Sequence, residues 1–240
     1  MKKILIVITL IMIILLAGCQ KNENELVMAT EAGFAPYEYY EGGKIVGVDV
    51  DIANEIANEM GKKLVIKDVA FDSIINEIKT GKSDFGAAGI SYTKERAEEV
   101  SFTINYSSSK QVVIVKNNST IANVNDIKNK KIAVQLGSIA DTYVTDNYKN
   151  ADIIRQKKYL AAIEDLKSDK VDAVVMDELP AKEIINSNSG LKILDGSLTN
   201  DSYGMIVKKG NSEMLSVINK VLDRLIQEGK IEQFVINHTS

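Results

Sequence analysis

The stretch FDSIINEIKTGKSDFGAAG, Phe71 to Gly89, lies without gaps on YLAAIEDLKSDKVDAVVMD, Tyr159 to Asp177, at a shift of 88 residues. Ile75 meets Ile163, Lys79 meets Lys167, Lys82 meets Lys170 and Asp84 meets Asp172. Phe71 with Tyr159, Glu77 with Asp165 and Ile78 with Leu166 pair by kind. Each copy has the pattern of an amphipathic helix, a tight turn and a buried strand. Chance likeness between two helix-to-strand units is the competing explanation, because core Ile and surface Lys are common anywhere. At face value the repeat predicts two lobes, each with its own parallel sheet.

Outward from the repeat, short apolar strands alternate with amphipathic segments, so the fold class is α/β. Leu26 to Thr30 reads as a strand, and Tyr39 to Val48 as a hairpin-like passage turning at Gly42-Gly43. Ile52, Ile56 and Met60, with Ala53 and Ala57, make a helical stripe that Gly61 terminates in the left-handed conformation. Leu64 to Val69, Ile74 to Thr80 and Asp84 to Ala88 continue the alternation. The last long helix, Glu213 to Glu228, sets Met214, Leu215, Ile218, Val221, Leu222, Leu225 and Ile226 on one face and meets Gly229.

Composition removes most chemistries. The 240 residues hold 29 Lys plus Arg against 33 Asp plus Glu, a formal charge of −4, with one Cys, one His and no Trp. That balance gives no basic stripe for phosphates, so no nucleic acid is expected as a partner. A single Cys excludes a disulfide framework and a Cys-based zinc site. The single His238, near the end, argues against His-centred catalysis, so no metal or cofactor is expected.

The N-terminus reads as an address. Lys2 and Lys3 precede Ile4 to Leu16, where Thr9 is the only polar side chain. That run is short for a membrane-spanning helix, which needs about 20 residues, and fits the apolar core of a secretory signal. Leu16-Ala17-Gly18-Cys19 resembles the lipobox of bacterial lipoproteins. The resemblance implies a lipoprotein signal peptide over 1–18, lipidated Cys19 holding the chain to the bilayer, and a tether over 19–25. The expected location is extracytoplasmic and anchored to the cell membrane.

Polar residues gather where the repeated strands end. Ligands of open α/β sheets bind beyond the carboxyl ends of strands, near helix N-termini. Gly89-Ile90-Ser91-Tyr92-Thr93-Lys94-Glu95-Arg96 follows the first strand, and Asp177-Glu178 the second. If the lobes face one another, Arg96 and Asp177 bracket one cleft with opposite charges. The planar guanidinium of Arg96 suits an α-carboxylate, Asp177 an α-ammonium, and the Ser91 hydroxyl either end. The plainer alternatives are a helix-end Arg paired with Glu95 or Glu99, and a helix cap ahead of Pro180.

Ala29-Thr-Glu-Ala-Gly-Phe-Ala-Pro-Tyr-Glu-Tyr39, Val46-Gly-Val-Asp-Val-Asp-Ile52, Gly89-Ile-Ser-Tyr-Thr-Lys-Glu-Arg96 and Val171-Asp-Ala-Val-Val-Met-Asp177 add a further signal. In their joint order they resemble the polar amino-acid family of periplasmic-type solute-binding proteins, extracellular solute-binding protein family 3. The likeness runs from Leu26 to Phe234. It implies a type II two-lobed fold joined by two crossover strands, closing on a free L-amino acid for the permease and ATPase subunits of an ABC importer. Lobe one is expected over 26–106 plus 204–240, lobe two over 110–199, and hinges near 105–111 and 199–206. A monomer is expected.

Carried over residue by residue, the resemblance gives Arg96 the α-carboxylate, helped by the amides of Ser91 and Ile139. Asp177, the Gly89 carbonyl and the Ser91 hydroxyl take the ammonium. Phe34 and Phe71 form aromatic walls, and Glu31, Ala88, Gln135, Gly137 and Ser138 line the rest. Met176 before Asp177, the neutral Gln135 and Ile139-Ala140 favour an uncharged side chain, aliphatic, sulfur-containing or amide-bearing, because a charged one needs a partner in a desolvated site. Glu31 is the exception and suits a cationic or amide group. Two rival functions are a cyclohexadienyl-dehydratase-like enzyme, for which Glu31 is the one placed carboxylate, and a sensory receptor domain working with a separate partner. No catalytic residue is expected on the binding-protein reading.

Overall fold

The computed structural model describes residues 22–239, so the signal segment and Cys19 lie outside the described residues. Two sheets carry the two copies of the repeat. In the first, β1 (Glu25–Thr30), α1 (Val48–Glu59), β4 (Lys63–Asp68), α2 (Ile74–Lys79) and β5 (Phe85–Gly86) follow one another, and β1 lies parallel between β4 and β5. In the second, β8 (Lys131–Gln135), α4 (Ile139–Asn147), β9 (Asp152–Gln156), α5 (Tyr159–Lys167) and β10 (Ala173–Asp177) repeat that course, with β8 parallel between β9 and β10. The fold is α/β with two sheet-containing lobes, as the repeat predicts. The copies differ in detail. The first opens with a 3-10 turn, Phe71–Ser73, and its strand is only two residues long.

The remaining strands complete each sheet antiparallel. β13 (Ile206–Lys208) lies between β5 and β6 (Val100–Phe102), and β7 (Ser107–Lys116) between β10 and β11 (Leu191–Ile193). Both β7 and β13 are therefore reached by a chain that has just left the other sheet. Between them, β12 (Thr199–Tyr203) pairs antiparallel with β7, Thr199 opposite Gln111 through Tyr203 opposite Ser107. The small polar run Ser107-Ser108-Ser109 is thus strand, hydrogen-bonded into a two-stranded ribbon between the lobes.

Local sequence explains the element ends. The pair β2 (Tyr39–Glu41) and β3 (Lys44–Val46) forms the hairpin expected around Gly42-Gly43. α1 ends with Gly61 at φ +62. Its amide donates to the Asn58 carbonyl, and that of Lys62 to the Ala57 carbonyl, which together satisfy the last turn. Strand β10 alternates, with Val174 and Met176 in one core cluster and Ala173 and Val175 in another.

The long helix α7 (Ser212–Gln227) buries Met214, Ile218, Val221, Leu222 and Leu225 and packs on α1 and on α8 (Lys230–His238). Arg224 reaches Glu55 at 2.9 Å, and Lys220 reaches Glu59 at 2.6 Å across the α1–α7 seam. These solvent-accessible pairs, the first of them half-buried, are worth about 0–1 kcal/mol each, so the apolar stripe holds the seam. Ile226, expected in that stripe, is 40% exposed because it lies at the rim of the packed face. Leu222 is fully buried, and Leu222→Ala is expected to lower unfolding free energy by about 2–5 kcal/mol, read as a lower denaturation midpoint with unchanged slope.

Candidate functional site

The site begins at Gly89, just beyond β5. Its φ is +52, and a Cβ there would lie 2.7 Å from Cε1 of Phe34, so no other residue lets that ring approach. The Gly89 amide donates to Oδ2 of Asp49 at 3.1 Å. Four residues on, Thr93 caps α3 (Lys94–Glu99) by accepting the Arg96 amide at 3.1 Å. That places Arg96 in the first turn with its side chain directed across the cleft. Nη1 donates to the Ser91 carbonyl at 2.6 Å, and Nη2 to the Gly137 carbonyl of the second lobe at 2.9 Å. The guanidinium carbon lies 5.6 Å from the centre of the Phe71 ring. Desolvation pulls the pKa of Arg96 down, opposed by the charges of Asp177 and Asp201.

Asp177 ends β10 and is buried. Its Oδ1 accepts three hydrogen bonds, from the Tyr203 hydroxyl at 2.6 Å, the Ser109 hydroxyl at 2.7 Å and Nε2 of Gln111 at 2.9 Å. All three donors belong to the ribbon of β7 and β12. With that oxygen saturated, Oδ2 is left to accept from a ligand. Burial pushes the Asp177 carboxyl up to about 6, with Asp201 adding to the rise and the three donors opposing it. Gln111 Nε2 also donates to Oδ2 of Asp201 at 3.1 Å, linking the two carboxyl groups.

Glu31 also lines the cleft, one residue past β1 and 2% exposed. Its Oε2 accepts from Nε2 of Gln135, at the end of β8, at 2.9 Å, and its Oε1 lies 3.1 Å from Nζ of Lys158. Both partners come from the other lobe. Burial raises the Glu31 pKa, and Lys158 and Gln135 oppose the rise. Phe34 stacks on Tyr159 with ring centres 5.7 Å apart and planes 23° from parallel, again across the lobes. These groups line one cleft between the two sheets.

Ala88, Ser91, Ser138 and Ile139 also line this cleft, with Gln135, Phe34 and Phe71. Ser138 caps α4 by accepting the Asp141 amide at 3.1 Å, so the first-turn amides beginning at Ile139 have no acceptor within their helix. Gly137 is set behind the lining. It gives its carbonyl to Arg96, and its amide donates to Oδ2 of Asp141 at 3.1 Å. Met176, expected in the side-chain pocket, is fully buried in the core. Successive side chains of a strand point to opposite faces, so the residue before Asp177 turns away from the cleft.

Two lining residues fall outside the expected set. Tyr159 was visible only as the partner of Phe71 in the internal repeat, and the structure sets both rings at the cleft. Glu38, 1% exposed, lies in the Ala-Pro-Tyr-Glu stretch. Burial and the neighbouring Asp49 hold its carboxyl well above the ordinary range, and burial pushes Asp49 itself up to about 6. Among the described residues, no group of His, Cys, Asp and Glu is arranged to hold a metal ion, and no helix is long and apolar enough to cross a membrane.

Comparison with known proteins bears on this geometry. The arginine-binding extracellular protein ArtP of Bacillus subtilis (strain 168) is 28% identical over 224 residues, covering 90% of this chain and 87% of the relative. An ancestral arginine-binding protein bound to arginine superposes with a TM-score of 0.85 at 35% identity, over 91% of this chain and 99% of the other. An ancestral arginine-binding protein bound to glutamine gives a TM-score of 0.84 at 35% identity, over 89% and 97%. Over residues 26–238 the sequence matches the bacterial extracellular solute-binding proteins, family 3, and the chain belongs to that family.

Proposed function

We propose that the cleft captures one free L-amino acid with a cationic side chain, of the arginine class. The protein delivers it chemically unchanged to the permease and ATPase subunits of an ABC importer. The observation that carries this reading is the distribution of charge in the cleft. Arg96 lies opposite the buried Asp177, and beyond this pair the side-chain end holds buried Glu31. A zwitterionic backbone uses the first two, carboxylate to the guanidinium fork and ammonium to Oδ2 of Asp177. Glu31 then favours a positive side chain, and the Phe34, Phe71 and Tyr159 rings suit a flat guanidinium.

This reading departs from the neutral side chain expected of the sequence. Met176 faces the core, and the Gln135 amide is spent on Glu31. The arginine named for two of the similar proteins supports the change. Closure is proposed to turn on the ribbon at 105–111 and 199–206, between lobe one (26–106 with 204–240) and lobe two (110–199). Binding would favour the closed state. The enzymatic alternative loses ground because Glu31 is already engaged by Gln135 and Lys158.

Calorimetry over the common amino acids is expected to show one site, strongest for arginine, with the ligand recovered intact; turnover of any of them, or no preference for a cation, overturns the reading. Arg96→Ala and Asp177→Ala should each cost on the order of 2–5 kcal/mol of binding with the melting curve still cooperative.

The Asp177 carboxyl sets a pH dependence. Burial pushes it up to about 6 in the free protein, and the ligand ammonium favours its ionised form. Affinity should therefore fall as pH drops through 6, by roughly tenfold per unit once the proton is held. Stability of the free protein runs the other way. Asp49 and Asp177 are raised from 3.8 to about 6, so their contribution is full below 3.8 and is lost as pH rises through 6. Melting temperatures and binding constants measured across pH 4–8 test both trends.

Cys19 is proposed as the lipid attachment that holds the protein outside the membrane as a monomer. Cys19→Ser is expected to release the protein from membranes or block its processing, read by fractionation and fatty-acid labelling.

A further inference from the structure

Lys158 reaches the cleft-lining Glu31 from the second lobe. It immediately precedes α5, after β9, and its side chain is 42% exposed, whereas Glu31 is 2% exposed. Its Nζ lies 3.1 Å from Oε1 of Glu31 and 3.5 Å from Oδ2 of Asp68. The two carboxylates belong together, because Asp68 ends β4 directly opposite Thr30, the last residue of β1 and the one before Glu31. Asp68 is fixed in place, its Oδ1 accepting the Ala32 amide at 2.9 Å and its Oδ2 the Tyr40 hydroxyl at 3.2 Å. One lobe thus presents a pair of anchored carboxylates, and the other supplies the cation between them.

A ligand clamped by Arg96 and Asp177 brings its own side chain to the same Glu31. The ligand cation and Lys158 then compete for one buried negative charge. With Lys158 in place Glu31 is compensated before any ligand arrives, and an amide side chain meets no unpaired charge. With Lys158 removed, Glu31 keeps the Gln135 amide but is a buried carboxylate whose charge only a cationic side chain or a proton neutralises.

We propose that Lys158 is a specificity-determining residue, an internal cation that screens Glu31 and so sets how strongly the cleft prefers a cationic amino acid over an amide-bearing one. Selectivity is a difference between two affinities, and screening lowers only the cationic one. The inference rests on the reading above that the ligand side chain points to Glu31.

The test titrates L-arginine and L-glutamine into the parent protein, Lys158→Met, Lys158→Gln, Glu31→Gln and the Lys158→Met/Glu31→Gln double variant. The ratio of the glutamine Kd to the arginine Kd is expected to rise at least tenfold in both Lys158 variants. In the Glu31→Gln background, Lys158→Met should leave that ratio unmoved. An unchanged or falling ratio, or the same rise with Glu31 absent, overturns the proposal. A parallel loss of both affinities also overturns it and makes Lys158 a latch between lobes and nothing more. If the parent binds neither amino acid, the functional reading fails by itself; Lys158→Met must then still gain arginine binding, and the absence of that gain overturns this inference too.

Discussion

The buried carboxylate of Asp177 is the point on which the rest of the molecule turns. A carboxylate taken out of water is costly unless donors replace its hydration. Here the donors are Tyr203, Ser109 and Gln111, and they belong to the two strands that pass between the lobes. That buried carboxylate is therefore held by the ribbon that connects the lobes.

Closure of the cleft is written in side chains that need both lobes. Arg96 reaches the Gly137 carbonyl, Gln135 and Lys158 reach Glu31, and Phe34 stacks on Tyr159. Polar contacts of this kind are each modest when water is the alternative. Together they join the two lobes across the cleft. The cleft is lined by a cation, Arg96, and by the buried acids Asp177 and Glu31, the last paired with Lys158.

Much of this was readable from residues. The gapless match of Phe71–Gly89 with Tyr159–Asp177 announced two sheets, because helix-to-strand units of the same period bury their faces in the same way. Gly42-Gly43, Gly61 and Gly229 marked ends that depend on backbone freedom, and the α7 stripe marked its own buried face, Ile226 at the rim excepted. Arg96 and Asp177 were placed by the rule that ligands bind beyond strand ends. What failed was a matter of direction. Met176 stands beside Asp177 in sequence, and strand alternation turns it into the core. Glu31 looked like one acid among neutral neighbours, and its partnership with Lys158, 127 positions along the chain, leaves no local trace.

The sequence alone determined the elements, their order, the family likeness and the two charges suited to an amino acid's backbone, because these depend on local periodicity and on residue types at strand exits. Tertiary structure decided which side chains face the cleft, what holds Asp177 in the ribbon, and that Glu31, Asp68 and Lys158 meet. Those depend on two lobes approaching each other, and the facing residues lie far apart in a chain whose local pattern carries no record of the distance between them.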